Sequence, residues 1–314
     1  MSKSLQYWNG RRARSRLPRI RNHSIHAKTG LSNIISFKAG MVTTMMIEDS
    51  EAVTKGAEVS KPATVLEIPK MEVYGVRAFK EMPGTHYRTA AYDVYDAQLS
   101  EKLKIKQKKA RSIGELKVDK GIYDISALVV AYPASTGIGQ KRRIRFESAI
   151  AGKSYDEKLT FAEGVLGKEI KGQEIFEEGE YVDTVSITKG KGWQGVIRRA
   201  GVKRNNHKAT QKIRHGGPLG AFTPGKVFYT IPRAGQQGFN YRTEQNKRIL
   251  KISTNQHVQE INPKAGFKNY GNIKSDFVVL HGSVVGPAKR LVRIKKAIRD
   301  SNKKTIKPKL TGFS

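Results

Sequence analysis

The chain has 314 residues, with 59 Lys or Arg against 27 Asp or Glu and a formal net charge of +32. That excess goes beyond what solubility requires and points to a polyanion, nucleic acid ahead of an anionic membrane surface, for which a long basic amphipathic helix is missing. The chain contains no cysteine, which excludes disulfides, thiolate zinc sites and thiol catalysis; no run nears the roughly eighteen apolar residues of a bilayer span, and no apolar segment follows the basic N-terminus to make a secretory signal.

Residues 1–30 carry Lys3, Arg11, Arg12, Arg14, Arg16, Arg19, Arg21 and Lys28 and no acid. This is read as an extended arm that orders only on RNA. Asn33 to Ile47 is β-branched and apolar around Gly40, one bent strand or a hairpin, and it includes Lys38. Ala63 to Ile68 and Val73 to Phe79 are β-rich, and Pro69 and Gly75 suggest a kink or bulge in one element rather than two separate ones. Leu99 and Leu103, four apart among lysines, predict a charged helix with a narrow apolar stripe. Ile122 to Tyr132 returns to strand composition, and Thr136 to Gly139 marks a loop.

Ser154-Tyr155-Asp156-Glu157 has the spacing of a capping box, with Leu159, Ala162 and Leu166 following on one helix face. Glu147 to Asp183 holds ten acids against four lysines, an acidic flank facing solvent or protein. Val182 to Thr188, Arg248 to Ile252 and Asp276 to Leu280 read as strands. Arg290 to Ile298 alternates Val292 and Ile294 with Arg293 and Lys295, the pattern of a half-buried strand. The Lys-rich tail after Asp300 reads as loose. Irregularly spaced strands without a repeated strand–helix unit argue for a mainly β fold, a closed or nearly closed barrel.

The most informative stretch is Lys189 to Lys251, with fifteen Lys or Arg and one acid, Glu244. It cannot collapse on itself, because it is self-repelling and buries little apolar surface. Two motifs within it are decoys. Gly190-Lys191-Gly192-Trp193-Gln194-Gly195 matches GxGxxG after a strand, but a dinucleotide site needs an apolar-faced helix next and an acid about twenty residues on. Here Gly201 breaks the following segment, and no acid lies between Asp183 and Glu244. Gly220 to Val227 resembles a P-loop with Val227 where the magnesium-binding hydroxyl must stand.

What remains is a nucleic-acid surface. Lys189, Lys191, Arg198, Arg199, Lys203, Arg204, Lys208, Lys212, Arg214, Arg233, Arg242 and Lys247 can neutralise phosphates, and His207 and His215 can stack or hydrogen-bond. Trp193, Phe222, Phe239 and Tyr241 can stack on bases or anchor the loop, with Phe222 placed at a tip. Glu244 is expected to order Arg242 or Lys247. No histidine has metal spacing and no Ser–His–Asp set stands out, so no enzyme is expected; a nucleotide-dependent RNA-modifying enzyme and a general nucleic-acid binder are the rival readings. No cofactor or metal site is expected beyond magnesium ions carried by the RNA itself.

Phe37-Lys38-Ala39-Gly40-Met41, Lys189 to Gly195, Ala234-Gly235-Gln236-Gln237-Gly238, Arg242-Thr243-Glu244-Gln245-Asn246-Lys247 and Gly282-Ser283-Val284-Val285-Gly286-Pro287 together resemble the large-subunit ribosomal protein L3 family, in its archaeal or eukaryotic form. The resemblance implies a closed β-barrel of the translation-protein type at 31–90 and 182–300, including an RNA-penetrating loop at 190–247. It implies an α/β insertion at 91–181, a basic arm at 1–30 and a basic tail at 301–314. It further implies a structural role in the cytoplasmic large subunit, with 23S rRNA near its 3′ end and the L14 and L24e families as neighbours, and no membrane. In related proteins the loop tip, near the peptidyl transferase centre, carries Trp; Phe222 matches it here without the indole N–H. Ala209-Thr210-Gln211 stands where the eukaryotic branch has Thr-His-Arg, so a histidine modification of that branch is not expected.

Overall fold

The computed structural model describes residues 12–20, 22, 29–84, 87–105, 112–118, 121–208, 213–223, 225–299 and 306–313. Arg11, Arg21, Lys212 and the 209–211 stretch lie outside them. The chain forms two compact units, Met1–Leu17 with Ile187–Arg242, and Pro18–Ser186 with Thr243–Ser314.

The larger unit begins with β1 (Gly30–Leu31), which runs through Ser32 into β2 (Asn33–Ile47). β2 is one long strand whose register against β3 (Glu58–Glu67) shifts between Lys38 and Gly40. The bend is imposed by packing, since a Cβ on Gly40 would stand 2.5 Å from the Phe267 ring. The expectation of one kinked element across Pro69 is corrected. β3 and β4 (Lys70–Glu81) are separate strands in different sheets, because Pro69 cannot donate to a ladder and the chain crosses between sheets there. Gly75 does mark a bulge, where β4 shifts register against β6 (Ile122–Tyr132).

Between β4 and β6 lie β5 (Arg88–Tyr95), α1 (Ala97–Lys102) and α2 (Gly114–Val118). α1 is short, with Leu99 and Leu103 packed on Tyr74, Leu128 and Val130. After β6 come β7 (Ile144–Ala151), α3 (Tyr155–Val165), β8 (Glu169–Ile170), α4 (Gly172–Ile175) and β9 (Tyr181–Ile187). α3 starts where expected, but no Ser154 hydroxyl bond caps it. Glu157 instead accepts from the Lys153 amide at 3.3 Å and the Thr29 hydroxyl at 3.3 Å. Strands β1, β7, β6, β4 and β5, with β8 on β4, make one sheet.

The short β10 (Trp193–Gln194), α5 (Val196–Ala200) and β11 (Gly235–Gln236) follow in the smaller unit. The chain returns through β12 (Tyr241–Ser253) to β13 (Phe277–His281), β14 (Leu291–Lys296) and β15 (Leu310–Phe313). The second sheet runs β14-β9-β12-β13-β3-β2, and β14 pairs back onto β2, so six strands close a ring as a barrel requires. Ile34, Ile35, Phe37, Leu66, Ile249, Phe277 and Ile294 are among its buried residues, each stabilising by roughly 1.5–3 kcal/mol. β15 pairs with β2, so the tail, expected to be loose, ends in a strand.

Two expectations about charge fail for one reason. All six residues of β14 are buried, Arg293, Lys295 and Lys296 included. Arg293 donates to the Glu147 carbonyl at 2.5 Å, to Asn33 Oδ1 at 2.5 Å and to the Pro18 carbonyl at 3.4 Å. Lys295 donates to the Asn22 carbonyl at 3.2 Å and lies 3.6 Å from Asp183. Burial lowers the Lys295 ammonium pKa, partly offset by Asp183. A polar seam therefore joins β14 and β2 to β7, where Ser148 Oγ also bonds the Asn33 backbone. Asp183 itself is fully buried and accepts from the Asn246 amide at 3.0 Å. The acidic stretch is thus not a solvated flank throughout, because Glu147 and Asp183 at its two ends are built into the fold.

Glu67, at the end of β3, is fully buried. Its Oε1 accepts from the Lys274 amide at 2.7 Å, the Ser275 amide at 2.9 Å and the Ser275 hydroxyl at 3.0 Å. Its Oε2 accepts from the Gly137 amide at 3.2 Å and from the Tyr270 hydroxyl. Burial and the Glu67 charge push the Tyr270 phenol well above its ordinary range. One carboxylate thereby pins the 136–139 loop and the 267–275 segment to the barrel strand. Among the described residues, no helix is long and apolar enough to cross a membrane.

Candidate nucleic-acid interface

The basic loop has an ordered base. β10 pairs antiparallel with β11, Trp193 opposite Gln236 and Gln194 opposite Gly235. The Lys191 amide donates to the Gln237 carbonyl and the Gln237 amide to the Gly192 carbonyl, both at 2.9 Å. Gly238 sits at φ +74°, and a Cβ there would lie 2.1 Å from the Lys189 carbonyl oxygen, so only glycine fits. α5 spans five residues and ends at Gly201 in the left-handed conformation. It is too short for the helix that a dinucleotide fingerprint requires.

Arg199 staples the two limbs. Its Nε donates to the Gln236 carbonyl at 3.2 Å and its Nη1 to the Arg233 carbonyl at 2.8 Å. Gln237 Nε2 ties back to the Arg198 carbonyl at 3.3 Å. The sequence reading grouped Arg199 with the phosphate contacts, whereas its geometry is that of a loop fastener. Phe239 is the aromatic anchor, half-buried with Gly190 against it. The Ala13 amide donates to the Phe239 carbonyl at 2.8 Å, and the Arg12 guanidinium lies over the Phe239 ring at 5.9 Å. So the arm, expected to order only on RNA, has partners within the protein: Ala13 in the loop base, Pro18 and Asn22 in β14. Arg12, Arg14, Arg16 and Arg19 are all exposed.

Beyond the base, the limbs leave their side chains in solvent. Lys189, Lys191, Arg198, Lys203, Arg204, His207, Lys208, Arg214, His215 and Arg233 are exposed. Trp193 is 76% exposed and Phe222 99%, so neither ring anchors the loop; Tyr241 is also exposed. Phe228 and Tyr229 join them, Tyr229 at 78%. Both escaped sequence reasoning, although an aromatic pair between Lys226 and Arg233 in an acid-free loop carries the same signal as Trp193 and Phe222. Exposed rings interleaved with cations can neutralise phosphates and stack on unpaired bases.

Three sequence-selected residues sit differently. Lys38, half-buried in β2, donates to the Val284 carbonyl at 2.5 Å and the Gly286 carbonyl at 3.2 Å, which clips that turn to the barrel. Burial lowers its pKa, with the Glu244 charge opposing. Lys247 lies 3.6 Å from Glu244, the ordering contact expected of that lone acid. Arg242 Nη1 donates to the Tyr241 carbonyl at 2.9 Å.

The family model for ribosomal protein L3 matches residues 114–312. The chain belongs to this family. Its relatives include three archaeal proteins named large ribosomal subunit protein uL3. That of Methanopyrus kandleri is 38% identical over 310 residues, covering 94% of this chain and 84% of the relative. That of Methanobrevibacter smithii is 37% identical over 313 residues, 97% and 93%, and that of Methanococcus vannielii 38% over 318 residues, 99% and 95%. The archaeal form of the family is therefore the one this chain resembles over nearly its whole length.

Proposed function

We propose that this L3-family chain works as a scaffold in which the barrel is the rigid base and the arm and basic loop are the parts that enter RNA. As a family member it is a structural component of the large ribosomal subunit in the cytoplasmic ribosome, and not an enzyme. It partners rRNA and other ribosomal proteins. The observation that carries the RNA-entering role is the loop 189–242. It has no acid, a hydrogen-bonded base, and cations and five aromatic rings left in solvent. Such a surface is costly to leave exposed unless a polyanion covers it.

On this reading Arg12, Arg14, Arg16, Arg19, Arg198, Lys203, Arg204, Lys208 and Arg214 contact phosphate. Trp193, Phe222, Phe228 and Tyr229 stack on bases, and Arg199, Lys38 and Lys247 hold the elements that present them. The RNA is the 3′ part of 23S rRNA, with the Phe222 tip directed toward the peptidyl transferase centre, and the L14 and L24e families are the neighbours. The protein itself supplies no cofactor; magnesium enters with the RNA. Co-sedimentation with large subunits at moderate salt tests the scaffold reading, and a chain that stays in the supernatant contradicts it. Competition by duplex DNA at equal affinity would contradict a shaped RNA site.

A further inference from the structure

A second basic surface lies in the larger unit, away in sequence from both arm and loop. α1 begins at Asp96, whose carboxylate accepts from the Leu99 amide at 3.0 Å. It ends in a Schellman-type turn, with the Ile105 amide donating to the Ser100 carbonyl at 3.0 Å and the Lys104 amide to the Glu101 carbonyl at 2.9 Å. The residue after the C-cap in this turn is left-handed and is usually glycine. Here it is Lys104 at φ +52°, a conformation that strains an L side chain. A lysine there gains nothing for the turn. Lys104 is exposed, so its charge, not its packing, distinguishes it from the relaxed choice.

The side chains around that turn are held in place. Arg143 Nη1 donates to the Lys102 carbonyl at 3.0 Å, and Arg145 Nη2 to the Leu103 carbonyl at 2.9 Å. Lys102 and Arg143 each lie over the Tyr132 ring at 5.6 Å. The Tyr132 hydroxyl donates to Glu72 at 2.6 Å, which together with burial pushes its phenol up to about 12. Arg143 and Arg145 are two residues apart, about 7 Å along one strand direction. Both are exposed, as are Lys102, Lys141 and Arg142. The acids nearby are Glu101 and Glu72; Glu72 is held by Tyr132 and Lys70 and also lies 4.0 Å from the Lys102 ammonium, so Lys102 is the one partly neutralised cation of the group. Guanidiniums fixed by one bond each keep further N–H donors for a planar anion.

We propose that Lys102, Lys104, Lys141, Arg142, Arg143 and Arg145 form a second RNA-backbone contact, independent of the loop, which rests on the RNA-binding reading above. On this reading the strain at Lys104 is offset by a charge placed for binding. Lys104→Gly relaxes the turn, so the free protein melts at the same temperature or higher, yet it binds large-subunit rRNA two- to fivefold more weakly.

The test uses the full chain and large-subunit rRNA, with filter binding over a salt series and hydroxyl-radical footprinting. Lys104→Gly combined with Lys141→Gln and Arg142→Gln should lower affinity at least tenfold. It should also flatten the salt dependence by about two in log–log slope and remove protection from one RNA segment only. A loop variant, Arg198→Gln with Arg204→Gln, should remove protection from a different segment. If the loop variant weakens binding and the triple variant does not, this second contact is wrong and the loop reading stands. If neither variant weakens binding, the RNA reading itself fails. If the triple variant matters only when other ribosomal proteins are present, the surface faces protein and the proposal is overturned.

Discussion

Removing the Glu67 carboxylate is the severest test of how the barrel is held to its surrounding loops. Glu67→Ala leaves the Lys274, Ser275 and Gly137 amides without the fully buried carboxylate to which they donate. The Ser275 and Tyr270 hydroxyls can rotate, but the three amides cannot. Each stranded donor costs about 1–3 kcal/mol, so the three together cost about 3–9 kcal/mol, a large share of the stability of a typical domain. Glu67→Gln keeps one oxygen. Its amide is best accommodated on the Oε2 side, where the Tyr270 hydroxyl can turn to accept, which strands only the Gly137 amide and costs about 1–2 kcal/mol. Urea unfolding followed by far-ultraviolet circular dichroism reads both, with m unchanged. An alanine variant within 1 kcal/mol of the parent, or a glutamine variant as costly as alanine, would refute the assignment of these donors to Glu67.

Three further outcomes are expected. Hydrogen bonds from Lys61 and Ser50 hold the Glu48 carboxyl at about 2, below its ordinary 4.5. A depressed carboxylate contributes stability that is complete above the unfolded value and lost as pH falls through the folded one. Urea midpoints should therefore drop between pH 4.5 and 2, and Glu48→Gln should flatten that drop; an identical pH profile would contradict the pairing. Gly238→Ala should loosen the loop base by roughly 2 kcal/mol from left-handed strain alone, read as about thirtyfold faster hydrogen exchange at the Lys191 and Gln237 amides. Unchanged protection there would sink the close-approach argument. Phe222→Ala should leave the melting temperature of the free protein within about 1 °C, because a ring 99% exposed contributes no core packing, while subunit assembly or peptidyl transfer suffers. A large fall in melting temperature would place the ring in a core.

Strands with continuous apolar runs could be read directly. β6 occupies Ile122 to Tyr132 as its composition predicts, and β13 follows the Phe277–Leu280 run. The signal works there because burial on both faces favours β-branched and apolar residues, as at 127–131 and 277–280. It failed at β14, where Arg293 and Lys295 read as the wet face of a half-buried strand. Their partners are carbonyls of Pro18, Asn22 and Glu147, between 146 and 275 residues away in sequence, and no local pattern encodes them. β15 was hidden likewise, since its acceptor edge is β2, at the other end of the chain. At Ser154 the capping spacing was present, but Thr29 and the Lys153 amide competed for Glu157. The loop was the most readable part of the site. Missing acids are visible in any sequence, and exposure follows from them. What could not be read was which cations bind and which build: Arg199 and Lys38 turn inward because backbone carbonyls, not side chains, claim them.

The central claim is that exposed loop cations neutralise rRNA phosphates, and the salt dependence of binding tests it most directly. Each phosphate contact contributes about 0.7–0.9 to the slope of log affinity against log salt. The parent chain should show a steep negative slope on large-subunit rRNA. Replacing Arg198, Arg204 and Arg214 with Gln should make it shallower by about two to three, while Arg199→Gln should act through loop order and leave the slope close to the parent value. A triple variant whose slope matches the parent would contradict the account.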